Sequence, residues 1–240
     1  MDDKTPRITE KNIFTDPMTK GQRLAAWAYL PMHVGVLPLL LSLFIELWPD
    51  LGVGAVEVNI FYYVFGALYV LVFLWRYLRG AFDVLMDNKL RCLLALITAV
   101  MINFLLSWGV QLALLAFDFD LTDVPNNDAV SDMATESYNL VLAMTVFLAP
   151  LVEEPLFRGA VFGSISRRSR FWAYAVSAVL FSLYHVWQYA VVYMDPTYLL
   201  YGLSYLPVSI ALAYAYERSG SIWTPILMHM GINALAMYLL

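Results

Sequence analysis

Glu153 and Glu154 are adjacent acids inside an otherwise apolar run, Ser137 to Gly163, and Arg158 follows the second acid by four residues. An ionised side chain at bilayer depth costs at least about 2.5 to 3.5 kcal/mol, so acids there point to a function and a partner. On a helix Glu154 and Arg158 share a face while Glu153 is rotated by about 100°, which assigns Glu154 to Arg158 and leaves Glu153 free to face other groups. Pro155 disfavours helical geometry at Glu154 and frees the carbonyl of Leu151; a kink there would open room for water beside Glu153. Of the three histidines, two have a companion at helical spacing, Phe181 before His185 and Asn233 after His229. Carboxylate and imidazole together can bind and deprotonate a water, either as a general base with polarising donors or around a metal. The structural alternatives are a buried ion-pair cluster of the two acids with Arg158, and histidines bonded to neighbouring carbonyls.

These residues need a scaffold, and composition names it. The chain has 240 residues, 61% hydrophobic and 14% charged, with a mean hydropathy of +0.67, far more apolar than an average soluble domain. Seven apolar runs read as spans: Leu24 to Trp48, Asn59 to Leu78, Cys92 to Phe117, Tyr138 to Gly163, Phe171 to Met194, Tyr198 to Tyr216 and Ile222 to Leu240. Each is near or above the roughly 20 residues that cross a hydrocarbon core. The expected fold is an all-α, polytopic transmembrane helical bundle of about seven to eight spans. Its expected parts are a cytoplasmic segment over 1–23 and a single transmembrane domain over 24–240, with a motif-bearing core over 138–240.

All 14 Lys and Arg fall before the first run or at the second, fourth and sixth connections, whereas the connection from Asp118 to Glu136 holds six acids and no base. The positive-inside rule then puts the N-terminus in the cytoplasm and, with seven spans, the C-terminus outside. The net charge of -5 follows from that acidic connection and does not suggest a nucleic-acid partner. A single cysteine, Cys92, excludes an intrachain disulfide and a thiolate metal cluster. The polar N-terminal segment lacks the pattern of a cleaved signal peptide, so the first run is expected to be a retained anchor. The expected location is a prokaryotic cytoplasmic membrane.

Taken in order, Glu153-Glu154-Pro-Leu-Phe-Arg158-Gly159, Phe181-x-x-x-His185 and His229-x-x-x-Asn233 resemble the three signature motifs of the CAAX protease and bacteriocin-processing family of intramembrane endopeptidases, relatives of the type II CAAX prenyl endopeptidases. The resemblance covers roughly Val146 to Leu240; the first three runs match only as hydrophobic helices. It implies that Glu153 is the general base activating the hydrolytic water and that His185, His229 and Asn233 complete the site around the water and the oxyanion. Glu154, Arg158 and Phe181 are supporting residues by the same resemblance. The implied substrate is a membrane-embedded or lipidated peptide within the bilayer, cut from a cavity opening toward the cytoplasmic side. Glu153, His185 and His229 would also suit a divalent metal such as zinc with an open position. The resemblance leans against an obligatory metal, and no other cofactor is implied. Relatives usually have eight spans against the seven counted here. The competing class is non-proteolytic: a proton- or ion-coupled transporter using the acids, or an immunity or scaffold member of the same family.

Other polar positions carry weaker signals. Asn103, Ser107 and Gln111 form one stripe at i, i+4 and i+8, which predicts interhelical hydrogen bonds. His33, between Pro31 and Pro38, predicts a structural role, and Trp48, Trp75 and Trp223 predict interface anchors. Counting rise per residue puts Glu153 and His229 at similar depths and His185 deeper.

Overall fold

A computed structural model of the protein describes residues 17–116 and 124–240. Lys4, Arg7, Lys11, Asp118, Asp120 and Asp123, which entered the charge argument, lie outside the described residues. Within them all regular structure is helical, with no strand. The helices are α1 (Lys20–Leu47), α2 (Ala55–Phe73), α3 (Trp75–Asp87), α4 (Lys89–Ala116), α5 (Pro125–Ser166), α6 (Arg170–Tyr184), α7 (Trp187–Val192), α8 (Leu206–Ser219) and α9 (Trp223–Leu239). Four of them, α1, α2, α4 and α5, are long and apolar enough to cross a membrane, and α8 qualifies together with the 3-10 segment Pro196–Ser204, from which it is bent by 49°. This is an integral membrane protein built as an all-α bundle.

Two of the elements that differ from the sequence reading bear on the site. The acidic connection is helical from Pro125 onward, because proline at a first helical position has its φ preset and needs no amide donor; the break before the apolar run falls at Ser137, with φ −150° and ψ 77°. The run starting at Phe171 is not one helix: α6 stops after 15 residues at Tyr184, and Val186, with φ −132°, turns the chain into α7.

A single device locks two helix pairs beside the site. α1 and α5 each contain a π-helical turn, Met32–Val36 and Met144–Leu148, in which the amides of Leu37 and Ala149 reach five residues back to Met32 O and Met144 O. The next residue in each case is a proline, Pro38 or Pro150. Proline has no N–H, so in this register the carbonyls of His33 and Thr145 lose their helical donor. Side chains from other helices supply it: Tyr62 Oη–H donates to His33 O at 2.8 Å, and Asn233 Nδ2–H donates to Thr145 O at 2.7 Å. The prolines thereby fasten α2 to α1 and α9 to α5, since an unpaired buried carbonyl is costly.

The end of the bundle carrying the basic residues is closed by bonds between helices. Ser221 Oγ–H donates to Ala81 O at 2.6 Å, Trp223 Nε1–H to Leu78 O at 2.8 Å, Arg91 Nε–H to Arg218 O at 2.7 Å and Trp27 Nε1–H to Ser164 Oγ at 3.1 Å. Trp223 is therefore tied to α3 rather than serving only as an interface anchor. Packing there is close: a Cβ on Gly159 would lie 2.6 Å from Met18 Cε and 3.0 Å from Tyr77 Oη, so the end of one of those side chains would have to shift.

Candidate active site

From Val152 to Gly163 every residue of α5 is buried, so the helix is enclosed from the acid pair to its basic end. Glu154 and Arg158 are both fully buried, and Arg158 Nη1 lies 3.2 Å from Glu154 Oε1, as the i, i+4 spacing requires. Arg158 Nη2 also donates to Ser209 O and Ser209 Oγ at 3.2 and 3.0 Å. Its guanidinium lies 4.1 Å from the centre of the Phe181 ring, a cation–π contact that gives the motif phenylalanine a physical task.

Spacing alone missed the second partner of Glu154. His229 Nδ1 sits 2.8 Å from the same Oε1, whereas its Nε2 is 4.0 Å from Glu153 Oε2. The pairing of Glu153 with histidine is therefore indirect: Glu154 holds the imidazole by one nitrogen and leaves the other directed at Glu153. Glu153 itself accepts a bond from Tyr63 Oη–H at 3.1 Å on Oε1, and its Oε2 is buried with no hydrogen-bond partner among the described residues.

Tyr63 opens a network that the motifs do not contain. Tyr63 Oη is 3.2 Å from Tyr184 Oη, which is 3.1 Å from Tyr62 Oη and 3.2 Å from His33 Nε2. The His33 ring stacks on Tyr62 with centroids 4.5 Å apart, so His33 has the packed role read from its sequence position and reaches the Glu153 neighbourhood through two tyrosines. The sequence signal that could have exposed it is the Tyr62-Tyr63 pair in an apolar helix opposite a histidine flanked by prolines.

His185 caps α6, its Nδ1 2.9 Å from Phe181 O and its ring stacked on Tyr205 at 4.4 Å. Glu153, His185, His229 and Asn233, together with Phe181, line one cavity of about 740 Å³. The depth difference expected for His185 does not separate it from the others, because α6 ends there and presents the ring to the shared space. Glu154 and Arg158 stand behind this wall and do not line it.

The sequence reading expected an opening toward the cytoplasmic side; the exposed part of the cavity lining gathers at one end of the bundle. Its buried floor is Glu153, Phe181 and His229, whereas its exposed lining residues include Ser42, Ile45, Asn127, Ser204 and Leu239. These belong to the end of the bundle away from the Lys and Arg residues. The turns of α5 that follow Glu153 are enclosed, so among the described residues no opening runs along them. The α4 stripe also departs from its reading: Asn103 and Ser107 line this cavity, and Asn103 Oδ1 is buried with no partner instead of bonding another helix.

Among the described residues no three His, Cys, Asp or Glu side chains are arranged to hold a metal ion. Glu153, His185 and His229 share the cavity without forming a common ligand set.

Comparison with known proteins adds the family. Residues 135–235, less than half of the chain, match the family model of the Rce1-like type II CAAX prenyl endopeptidases, so the resemblance read from the motifs holds over the segment that carries them. Among curated proteins, YdiL of Bacillus subtilis (strain 168), whose description as a membrane peptidase is itself provisional, is 28% identical over 109 residues, covering 45% of this chain and 40% of that protein. The chain thus matches well under half the length of this relative. No solved structure matches.

Proposed function

We propose, from an Rce1-like segment spanning residues 135–235, that the protein is an intramembrane endopeptidase in which Glu153 activates a water. The observation that carries this reading is the convergence of Glu153, His185, His229 and Asn233 on one cavity with a buried, unpartnered Glu153 oxygen. A water on Oε2 of Glu153 is the nucleophile. Glu153 takes one of its protons as the water oxygen bonds to the peptide carbonyl carbon and the carbonyl electron pair moves onto oxygen. With both ring nitrogens of His229 protonated, Glu153 and Glu154 are balanced by Arg158 and His229, and Nε2–H is the donor for the developing oxyanion. Asn233, fixed by one amide hydrogen on Thr145 O, offers the other to the same oxygen. His185, with Nδ1–H held on Phe181 O, leaves Nε2 to accept from the water. Collapse breaks the C–N bond, and Glu153 returns its proton to the departing nitrogen. Glu154 and Arg158 orient His229 and neutralise its surroundings.

A membrane-associated peptide is the substrate class that the family supports. The test is a proteomic comparison of membranes from cells making the wild-type or the Glu153→Gln protein. Membrane peptides accumulate uncut in the variant, and the corresponding cut ends appear only with wild type. Equal product ends in both membranes, or a Glu153-dependent ion flux across liposomes without cleavage, would overturn the reading.

A further inference from the structure

His33 is fully buried in α1, and none of the steps above uses it. A polar ring enclosed in this way is costly unless its nitrogens are bonded, so its partners matter. Its Nε2 lies 3.2 Å from Tyr184 Oη, and its Nδ1 is buried with no hydrogen-bond partner among the described residues. Its backbone carbonyl, left without a helical donor by Pro38, accepts from Tyr62 Oη–H at 2.8 Å. Aromatic rings pack around it, with the Tyr62, Tyr184 and Tyr29 centroids at 4.5, 5.5 and 5.5 Å.

The protons of this cluster have a direction. A hydroxyl has one proton to give and a neutral imidazole one N–H. Tyr62 gives its proton to a backbone carbonyl and Tyr63 gives its own to a carboxylate, neither of which donates in return. Toward Tyr184 Oη, at 3.1 and 3.2 Å, both tyrosine oxygens are therefore acceptors. Were His33 Nε2 bare as well, Tyr184 would face three acceptors with one proton, and Nδ1–H would be a buried donor left unbonded. With the proton on Nε2, His33 donates to Tyr184, and Tyr184 donates onward to Tyr63 or Tyr62.

We infer that His33 is a positioning residue for Glu153: its Nε2–H, relayed through Tyr184 and Tyr63, keeps a donor on Glu153 Oε1 and confines proton exchange with the water to Oε2. This rests on the reading of Glu153 as the base. Oε1 accepts from Tyr63 whether Oε2 is bare or protonated, so the chain keeps its direction through the cycle and carries no proton itself. The restriction matters because Oε2 is the oxygen that faces His229 Nε2, at 4.0 Å. A carboxylate that took the proton on either oxygen would hold the water in the productive place only part of the time. His33, Tyr62 and Tyr63 precede the family segment 135–235, so α1 and α2, which carry no motif, help to set the geometry of the site.

The test uses the full chain in liposomes and a membrane peptide that accumulates uncut in the Glu153→Gln membranes. His33→Phe keeps the ring packing and removes the donor. Its kcat should fall about three- to tenfold, the scale of one neutral hydrogen bond, with KM within about twofold of wild type. His33→Gln, whose amide can place an N–H near the Nε2 position, should restore at least about half of the wild-type kcat. Tyr184→Phe breaks the same chain one step later and should match His33→Phe, which keeps the test open if the His33 variant does not fold. In a Tyr63→Phe background His33→Phe should cost nothing further, because both act through one donor. Losses that multiply in the double variant, or a kcat untouched by His33→Phe and Tyr184→Phe, would overturn the inference. Independently of cleavage, nitrogen-15 NMR of histidine-labelled protein should show a neutral His33 ring protonated at Nε2, its signal identified by its absence from His33→Phe. A proton on Nδ1 instead would also sink the inference. Cleavage that survives Glu153→Gln removes the protease reading itself, whereas Glu153-dependent cleavage that is indifferent to His33 and Tyr184 removes only the relay.

Discussion

Ser221, Trp223, Arg91 and Trp27 each donate to a group on another helix at one end of the bundle, whereas around the cavity Asn103 Oδ1 and Glu153 Oε2 are buried with no hydrogen-bond partner among the described residues. Polar groups within a folded interior are nearly always bonded, so those left open call for an explanation. At the closed end polar side chains chiefly hold helices together, with Thr224 Oγ1 left unbonded among the described residues; around the cavity Tyr62 and Asn233 also tie helices, while Asn103 Oδ1 and Glu153 Oε2 stay open for a ligand. Substitutions at the closed end should therefore alter stability and leave chemistry alone, and substitutions in the cavity should do the opposite. Arg158 lies on the boundary, bonded on one side to Glu154 and Ser209 and facing Phe181 on the other.

The largest expected effect is at that boundary. Arg158→Met strands Glu154 without its fixed cation, and breaking a buried pair from one side costs about 3 to 5 kcal/mol. Thermal unfolding in detergent should show a large fall in Tm, and an unchanged Tm would mean that the pair is not the buried support described. Next comes Ser221→Ala, which leaves Ala81 O without its side-chain donor and should cost about 1 to 2 kcal/mol of stability. The turnover of folded Ser221→Ala protein should match wild type; a selective loss of turnover would erase the distinction between the two ends.

Within the cavity, Tyr63→Phe removes the donor to Glu153 Oε1 and should lower kcat by about tenfold, the equivalent of about 1.4 kcal/mol for a bond to a charged group. Tyr63 is a positioning residue, so KM should change little; a rise in KM with kcat intact would place it against the substrate instead. The smallest effect belongs to Asn103→Ala, expected to raise KM by about threefold, the scale of one neutral hydrogen bond, while Tm stays level or rises as a buried unpaired oxygen is removed. A fall in Tm would show that Asn103 bonds another helix after all.

The same contrast separates what was legible in the sequence from what was not. Hydropathy gave the helical membrane class, and i, i+4 spacing gave the Glu154–Arg158 pair, because both depend on local periodicity alone. The motif residues were found in order, and one cavity brings together Glu153, Phe181, His185, His229 and Asn233, with Glu154 and Arg158 behind its wall. Three features lay beyond local rules. His229 shares Glu154 with Arg158 across a separation of 75 residues, which no spacing encodes. Tyr63 and Tyr184 sit on different helices, and the path from Tyr184 through Tyr63 to Glu153 depends on how α2, α5 and α6 pack. The exposed part of the cavity lining lies at the end of the bundle away from the basic residues, an arrangement that depends on how the helices pack and that the expected cytoplasmic opening did not contain.

The division of labour between the two acids is the centre of the account. Its most direct test is the single-turnover cleavage rate of the Glu153→Gln protein in liposomes, measured on a peptide that the wild type cuts. Loss of the base should slow cleavage by at least about 10²- to 10⁴-fold, with Tm equal to or above that of wild type because a buried acid with a free oxygen has been neutralised. A Glu153→Gln protein that cleaves within a few-fold of wild type would contradict the account.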